Sequence, residues 1–281
     1  MDHAGRPVVL PLRPLTVGEL LDAAVALLRA HARVLVPVAA VLALVEQLLL
    51  APLRMAANAE PPAYLPDFDH FGAYWLLLAV GAGVEVAIIA VLGGPAARAA
   101  AAEVVGHRPT ARELLRPAGG RFGLVAVLAL TAGAVVFVMS LTGPAWIIGY
   151  ALVGLAVPVL VIDRTGPLQA LGRGALLAVR SGLRAAGIRL VGYLAWFAVR
   201  IALGLGALAA LSAIGADAPG WAVPVAATVW LLVNSLAYPT LACLDAVLLL
   251  ETRMRTEGLD IALTRARHTG RSAAAILAGG P

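Results

Sequence analysis

Apolar residues fall into six runs along the 281-residue chain, at residues 34–53, 75–97, 122–142, 144–162, 190–214 and 221–249. Each is close to or above the roughly 20 residues a helix needs to cross a bilayer. The third run carries no charge, and a Gly143-Pro144 turn joins it to the fourth. The pattern predicts an all-α membrane protein with six transmembrane helices.

The segments on one side of these runs are patterned too. Thr16-Val17-Gly18-Glu19 has the spacing of a capping box, Thr as N-cap and Glu three residues on. After it, Val17, Leu20, Leu21, Ala24, Leu27 and Leu28 recur at helical spacing, while Gly18, Asp22, Arg29 and Arg33 fall on the other side. This predicts an amphipathic helix over 16–33, lying in the membrane interface ahead of the first span. RPLTVGELL at 13–21 is echoed by HRPTARELL at 107–115, where Thr110 and Glu113 rebuild the box. A third segment opens Gly166-Pro167-Leu168. It carries Leu168, Leu171, Ala175 and Val179 on one face and Arg173, Arg180 and Arg184 on another. The chain is consistent with three copies of one unit, an interfacial helix followed by two spans, the first two copies matching better than the third.

The arginines give the orientation. Arg6, Arg13, Arg29 and Arg33 precede the first run. Arg98, Arg108, Arg112, Arg116 and Arg121 follow the second, and Arg164, Arg173, Arg180, Arg184 and Arg189 follow the fourth. Arg253, Arg255, Arg265, Arg267 and Arg271 follow the sixth. The opposite side has Arg54 and the acids Glu60, Asp67, Asp69 and Asp217. Basic loops stay cytoplasmic, so both termini are expected there. Arg29, Arg33, Arg173, Arg180 and Arg184 are the expected contacts to anionic lipid headgroups.

Composition agrees. Hydrophobic residues make up 61% and charged residues 13%, against about 25% charged in soluble domains. The net charge of +5 does not point to nucleic acid, because the arginines flank apolar runs. All 21 basic residues are Arg, which codon bias in a GC-rich genome would produce, and which would also suit binding of lipid phosphate. The single cysteine, Cys243, lies in an apolar run, so no intrachain disulfide is expected. The first residues lack a signal peptide's apolar core, and the first span is expected to serve as its own signal. The chain divides into an N-terminal tail at 1–12, a membrane domain at 13–263 and a flexible cytoplasmic tail at 264–281.

Two stretches carry a resemblance. Arg13, Pro14, Leu15, Gly18, Glu19, Leu21 and Asp22 form an Arg-Pro-Leu…Gly-Glu-x-Leu-Asp opening ahead of a basic amphipathic helix. Glu251, Arg253, Arg255, Glu257, Gly258 and Asp260 form an acidic residue followed by Arg-x-Arg-x-Glu-Gly. Bracketing residues 13–263, they resemble the bacterial family named for the membrane domain of glycerophosphoryl diester phosphodiesterase. The resemblance implies a multi-pass domain of the bacterial cytoplasmic membrane, and it does not imply catalysis. A phosphodiesterase barrel needs roughly 200 residues or more, and about 30 follow the last run, so no catalytic barrel is expected. Glu46, Glu85 and Arg200 depart from the family pattern.

Little else suggests chemistry. His3, His31, His70, His107 and His268 are scattered without metal-ligand spacing, and no nucleophile elbow, phosphate loop or zincin motif occurs. No metal or cofactor is expected. Gly93-Gly94-Pro95 reads as a helix break at the inner end of the second run. Pro158 and Pro239 are candidate kinks. Ala79, Gly83 and Ala87, and again Ala198, Ala202, Gly206 and Ala210, have the spacing of close helix packing.

Ionisable residues inside the runs are the sharpest feature. At ~1.5 Å per residue, Arg200 lies about 3 Å to the inner side of the midplane, Glu85 within about 2 Å of it and Glu46 about 4 Å to the outer side. A mid-membrane arginine costs at least about 2.5–3.5 kcal/mol and is expected to be paired. The predicted pair is Arg200 with Glu85, with Glu46 as second partner or protonated neighbour. Asn234 lies near the same depth and Asp245 near the inner interface. The leading function is a non-catalytic accessory domain that organises lipid or a protein partner. The alternative is a transporter or lipid-handling protein with a polar site around Arg200, Glu85 and Glu46, and an intramembrane enzyme stays open behind both.

Overall fold

The computed structural model describes residues 11, 13–59, 68–116, 121–215, 219–270 and 272–279. Arg6, Glu60, Asp67, Asp217, Arg271 and most of the 1–12 tail lie outside the described residues. The described chain is helical and contains no strand. Its helices are α1 (Val17–Ala56), α2 (Phe71–Val104), α3 (Ala111–Leu115), α4 (Phe122–Leu141), α5 (Trp146–Val153), α6 (Ala156–Ile162), α7 (Pro167–Arg180), α8 (Arg184–Ala213), α9 (Pro219–Glu257), α10 (Leu259–Thr269) and α11 (Ala273–Gly279). Five of them, α1, α2, α4, α8 and α9, are long and apolar enough to cross a membrane.

The fourth apolar run is the exception. It is not one helix but the pair α5 and α6, interrupted at Gly154 and Leu155. Pro158 explains the position, because its absent N–H is the one that would have bonded the Gly154 carbonyl. The pair nevertheless runs back along all of α4. A Cβ on Gly149 in α5 would touch Met139 and Val136 near the end of α4. At the other end, the Arg121 guanidinium beside the start of α4 donates to the Leu160 carbonyl of α6 at 3.0 Å.

Local signals set the other helix ends. Thr16 and Glu19 form a reciprocal capping box at the start of α1, and Thr110 and Glu113 form one at the start of α3. At the start of α7 the backward half survives, with the Gln169 side chain accepting from the Gly166 N–H at 3.3 Å. The residue after each Glu or Gln is buried in all three: Leu20, Leu114 and Ala170. The helix expected to lie separately in the interface is continuous with the first apolar run, and His31 (φ −120°, ψ 16°) marks the bend between the two parts of α1. Gly93-Gly94-Pro95 does not break α2. All three are buried within it, where Gly94 admits Val125 and Gly93 admits Val157. Packing on both sides outweighs the single hydrogen bond lost to Pro95. Pro239 likewise lies inside an unbroken α9. The segment expected as a flexible tail contains the second half of α10 and all of α11, with Leu277 buried.

α9 is the axle of the bundle. Its most apolar 18-residue window is 83% buried, against 11% for that of α8 at the rim. Residues 237–254 are buried without interruption. α2 packs between α1, α4, α6 and α9. Gly83 of α2 and Gly133 of α4 meet so closely that a Cβ on either would strike the other's carbonyl oxygen, at 2.9 and 2.6 Å. The small-residue spacing noted in the second run is thus used in packing. The similar one in the fifth is not: Ala198, Ala202, Gly206 and Ala210 are exposed on α8, because only the opposite side of α8 meets the bundle. Side chains such as Val41 and Leu48 of α1, Leu130 and Val138 of α4 and Leu205 of α8 form an apolar exterior.

Candidate functional site

Apart from buried His31 and Glu103, which lie 3.4 Å apart between α1 and α2, the charged side chains inside the bundle form three layers. The first joins α8 to α2. Arg200 Nη2 donates to Glu85 Oε1 at 2.6 Å, and the Tyr193 hydroxyl donates to Glu85 Oε2 at 3.3 Å. Arg200 is 4% and Glu85 7% exposed. α8 packs mainly along α9 and α5, so this long side chain is its main link to α2. Glu46 does not bond Arg200. Its carboxyl lies with the Tyr238 hydroxyl, 2.8 and 2.7 Å from the two oxygens. Asn234 Nδ2 donates to Glu46 Oε2 at 3.2 Å and to the Tyr238 oxygen at 2.8 Å. Depth alone could not separate these partners, since Asn234 and Tyr238 sit on α9 directly against α1. Tyr238 connects the two groups, because the Arg200 guanidinium lies 5.2 Å from its ring centre.

The second layer was not anticipated. Arg189, counted above among the loop arginines, is buried in α8, and its Nε donates to Asp245 Oδ1 at 2.7 Å. Its guanidinium carbon stands 3.7 Å from the centre of the Tyr150 ring. The α5–α6 break leaves room for it: a Cβ on Gly154 would come within 2.1 Å of Arg189 Nε. Arg189 immediately precedes the fifth run and Asp245 lies near the end of the sixth, so the depth matching applied to Arg200 would have found them.

The third layer lies where α6 and α9 end and α7 begins, and gathers the two motif stretches. Asp163, Arg173, Arg253 and Glu257 form a closed ring of alternating charge. Arg173 bonds Asp163 Oδ2 and Glu257 Oε1, each at 2.7 Å, and Arg253 bonds Asp163 Oδ1 at 2.8 Å and Glu257 Oε2 at 2.9 Å. Arg253 is fully buried and also donates to the Leu277 carbonyl of α11 at 3.0 Å. Burial pushes the Asp163 carboxyl above its ordinary value, against the pull of Arg253 and Arg173. Beside the ring, buried Glu251 accepts from Arg184 at 2.9 Å and from Arg255. The same two arginines donate to the Leu15 carbonyl, at 2.8 and 2.9 Å. Gly258 takes φ +65° between α9 and α10, a conformation that favours glycine. In the opening motif, Arg13 pairs with Glu19, while Pro14, Gly18 and Asp22 are exposed.

Of the expected headgroup contacts, Arg173 and Arg184 are therefore engaged by acids of the chain, because their helix ends abut the acidic end of α9. Arg29, Arg33 and Arg180 are exposed and make no ion pair among the described residues. No cluster of His, Cys, Asp and Glu among the described residues could hold a metal ion. Cys243 is buried. No family model, curated protein or solved structure matches the chain.

Proposed function

We propose that the chain is a non-catalytic multi-pass domain of the bacterial cytoplasmic membrane, an accessory unit that organises lipid or a protein partner. One observation carries this reading: the mid-membrane polar groups close on each other. Arg200 bonds Glu85, and Glu46 bonds Tyr238 and Asn234, so each ionisable group has its partner within the bundle, as groups that fix helix register do.

In this reading α5 and α6 together make the fourth of six crossings. Arg121 and Leu160 mark one face of the membrane, Met139 and Gly149 lie toward the other, and both termini are cytoplasmic. The hydrogen bond from Arg255 to the Leu15 carbonyl supports placing the chain with the membrane domains of the glycerophosphoryl diester phosphodiesterase family, since the two stretches that carry the resemblance act as one structural unit. The three capped segments at Thr16, Thr110 and Gly166 support the threefold unit.

Cysteine accessibility tests the closed bundle. In a Cys243→Ala background, Ala43→Cys and Ala237→Cys place a small thiol one turn and one residue from Glu46 and Tyr238 respectively. Both positions are buried. A membrane-impermeant thiol reagent should label neither from either side of sealed vesicles. Labelling from one side would favour the second reading, a transporter or lipid-handling protein. That reading has one observation of its own: Arg200 Nε, Asn234 Oδ1 and Gln47 Oε1 are buried without a hydrogen-bond partner, and a small polar ligand would satisfy them.

A further inference from the structure

α7 turns an apolar ridge away from the protein. Its inner face is small and tightly seated: Ala170, Gly174, Leu177 and Ala178 are buried, and Gly174 lies so close to the Leu155–Ala156 backbone that a Cβ would come within 3.0 Å. On the far side Leu168 is 82%, Leu176 46% and Val179 53% exposed, at helical spacing. Leu183, in the turn into α8, is 60% exposed and holds φ +63°, a left-handed conformation disfavoured for a residue with a side chain. The turn thus continues the ridge at a conformational cost.

The ridge has a fixed height. Arg173 pairs with Glu257 and Arg184 with Glu251, both at the polar inner end of α9. These pairs, one within the ridge and one just past its end, hold it level with the place where apolar helix surface gives way to charge. Its own charge is of one sign. Between Arg164 and Arg200 the sequence has no Asp or Glu, and Arg164 and Arg180 stand exposed at the two ends of α7.

From this arrangement we infer that α7 is a wedge set into the inner leaflet, its Leu168–Leu183 ridge among acyl chains and Arg164 and Arg180 on the phosphates of anionic phospholipids. The inference rests on the reading of the chain as a membrane domain. It replaces the headgroup contacts expected from Arg173 and Arg184 with an apolar contact that their ion pairs orient. An amphipathic helix with a basic border binds anionic leaflets by this combination.

The full chain in nanodiscs of phosphatidylcholine and phosphatidylglycerol, with Cys243→Ala and a nitroxide at Leu176→Cys or Val179→Cys, tests the wedge. Both labels should collide more with oxygen than with a water-soluble nickel chelate, as a control label at Leu130→Cys on the α4 exterior should. Greater access to nickel at the α7 labels, with the control in lipid, would place the ridge in water and overturn the inference. Exclusion of both reagents would mean that a second copy or another protein covers the ridge, which overturns it equally. A control label that itself reports water would instead sink the membrane-domain reading. The charge arm uses Arg164→Gln and Arg180→Gln. Retention of phosphatidylglycerol over phosphatidylcholine should fall about fivefold per arginine, the equivalent of about 1 kcal/mol each. Unchanged selectivity in a variant of unchanged thermal stability would remove the anionic preference.

Discussion

Single arginines do most of the connecting in this protein, and in two ways. Some neutralise a buried acid, as Arg200 does for Glu85 and Arg189 for Asp245. Others fork onto backbone carbonyls at helix ends: Arg98 onto Glu113, Leu114 and Arg116, Arg121 onto Leu160, and Arg184 with Arg255 onto Leu15. The planar fork serves both uses at once, which a single ammonium group does less well. Removing one member of a buried pair strands the other. Arg200→Leu or Glu85→Leu should each destabilise the protein by about 3–5 kcal/mol, and the double variant should recover much of the loss. Thermal unfolding in detergent measures all three, and simple additivity would mean the two residues are uncoupled. Gly154 makes a second case. Arg189 is pinned by Asp245 and Tyr150 and cannot swing clear of a new methyl group. Gly154→Ala should therefore cost about 3 kcal/mol or more by stranding Asp245. Gly206→Ala, on an exposed face of α8 with open space around it, should be neutral or stabilise by up to about 1 kcal/mol.

At the scale of elements, the three capped segments differ in what holds their first turn. The Glu19 carboxyl is drawn down to about 2, first by the Arg13 hydrogen bond and then by the backbone and side chain of Thr16. Glu113 is lowered chiefly by the Thr110 backbone N–H. Both acids bind protons less readily when folded. Their contribution is thus complete above the ordinary carboxylate range and is lost as pH falls through it, for Glu19 toward about 2. Amide protection of the first turns of α1 and α3, corrected for intrinsic exchange, should drop over that window. Glu19→Gln should abolish the pH dependence in α1 while leaving α3 unchanged. A pH-independent first turn in the parent chain would mean the box does not hold it.

For the whole molecule, the number of crossings turns on α5 and α6. If the pair crosses, Arg116 and Arg173 share a side; if it does not, they are on opposite sides. Reporter fusions after these two residues should both give the cytoplasmic signal, and a fusion after Asp217 the external one. Opposite signals at Arg116 and Arg173 would leave five crossings and put the two termini on different sides.

Read alone, the sequence fixes what one helix knows about itself. Run length gives six apolar runs, five of which are single helices long enough to cross a membrane, the spacing of Thr and Glu gives the capped starts, and the rise per residue puts Arg200 and Glu85 at one depth. Small-residue spacing is equally visible in the second and fifth runs, yet only that of the second meets a neighbouring helix, because spacing cannot say which face another helix will occupy. The same limit hid Tyr238 as the partner of Glu46, and offered Arg173 and Arg184 to lipid when acids of α9 already hold them. Depth and face follow from covalent geometry and periodicity. Which helices become neighbours, and which long side chains then reach a partner, is decided by packing α1, α2 and α8 around α9, a many-body fit that no single stretch contains.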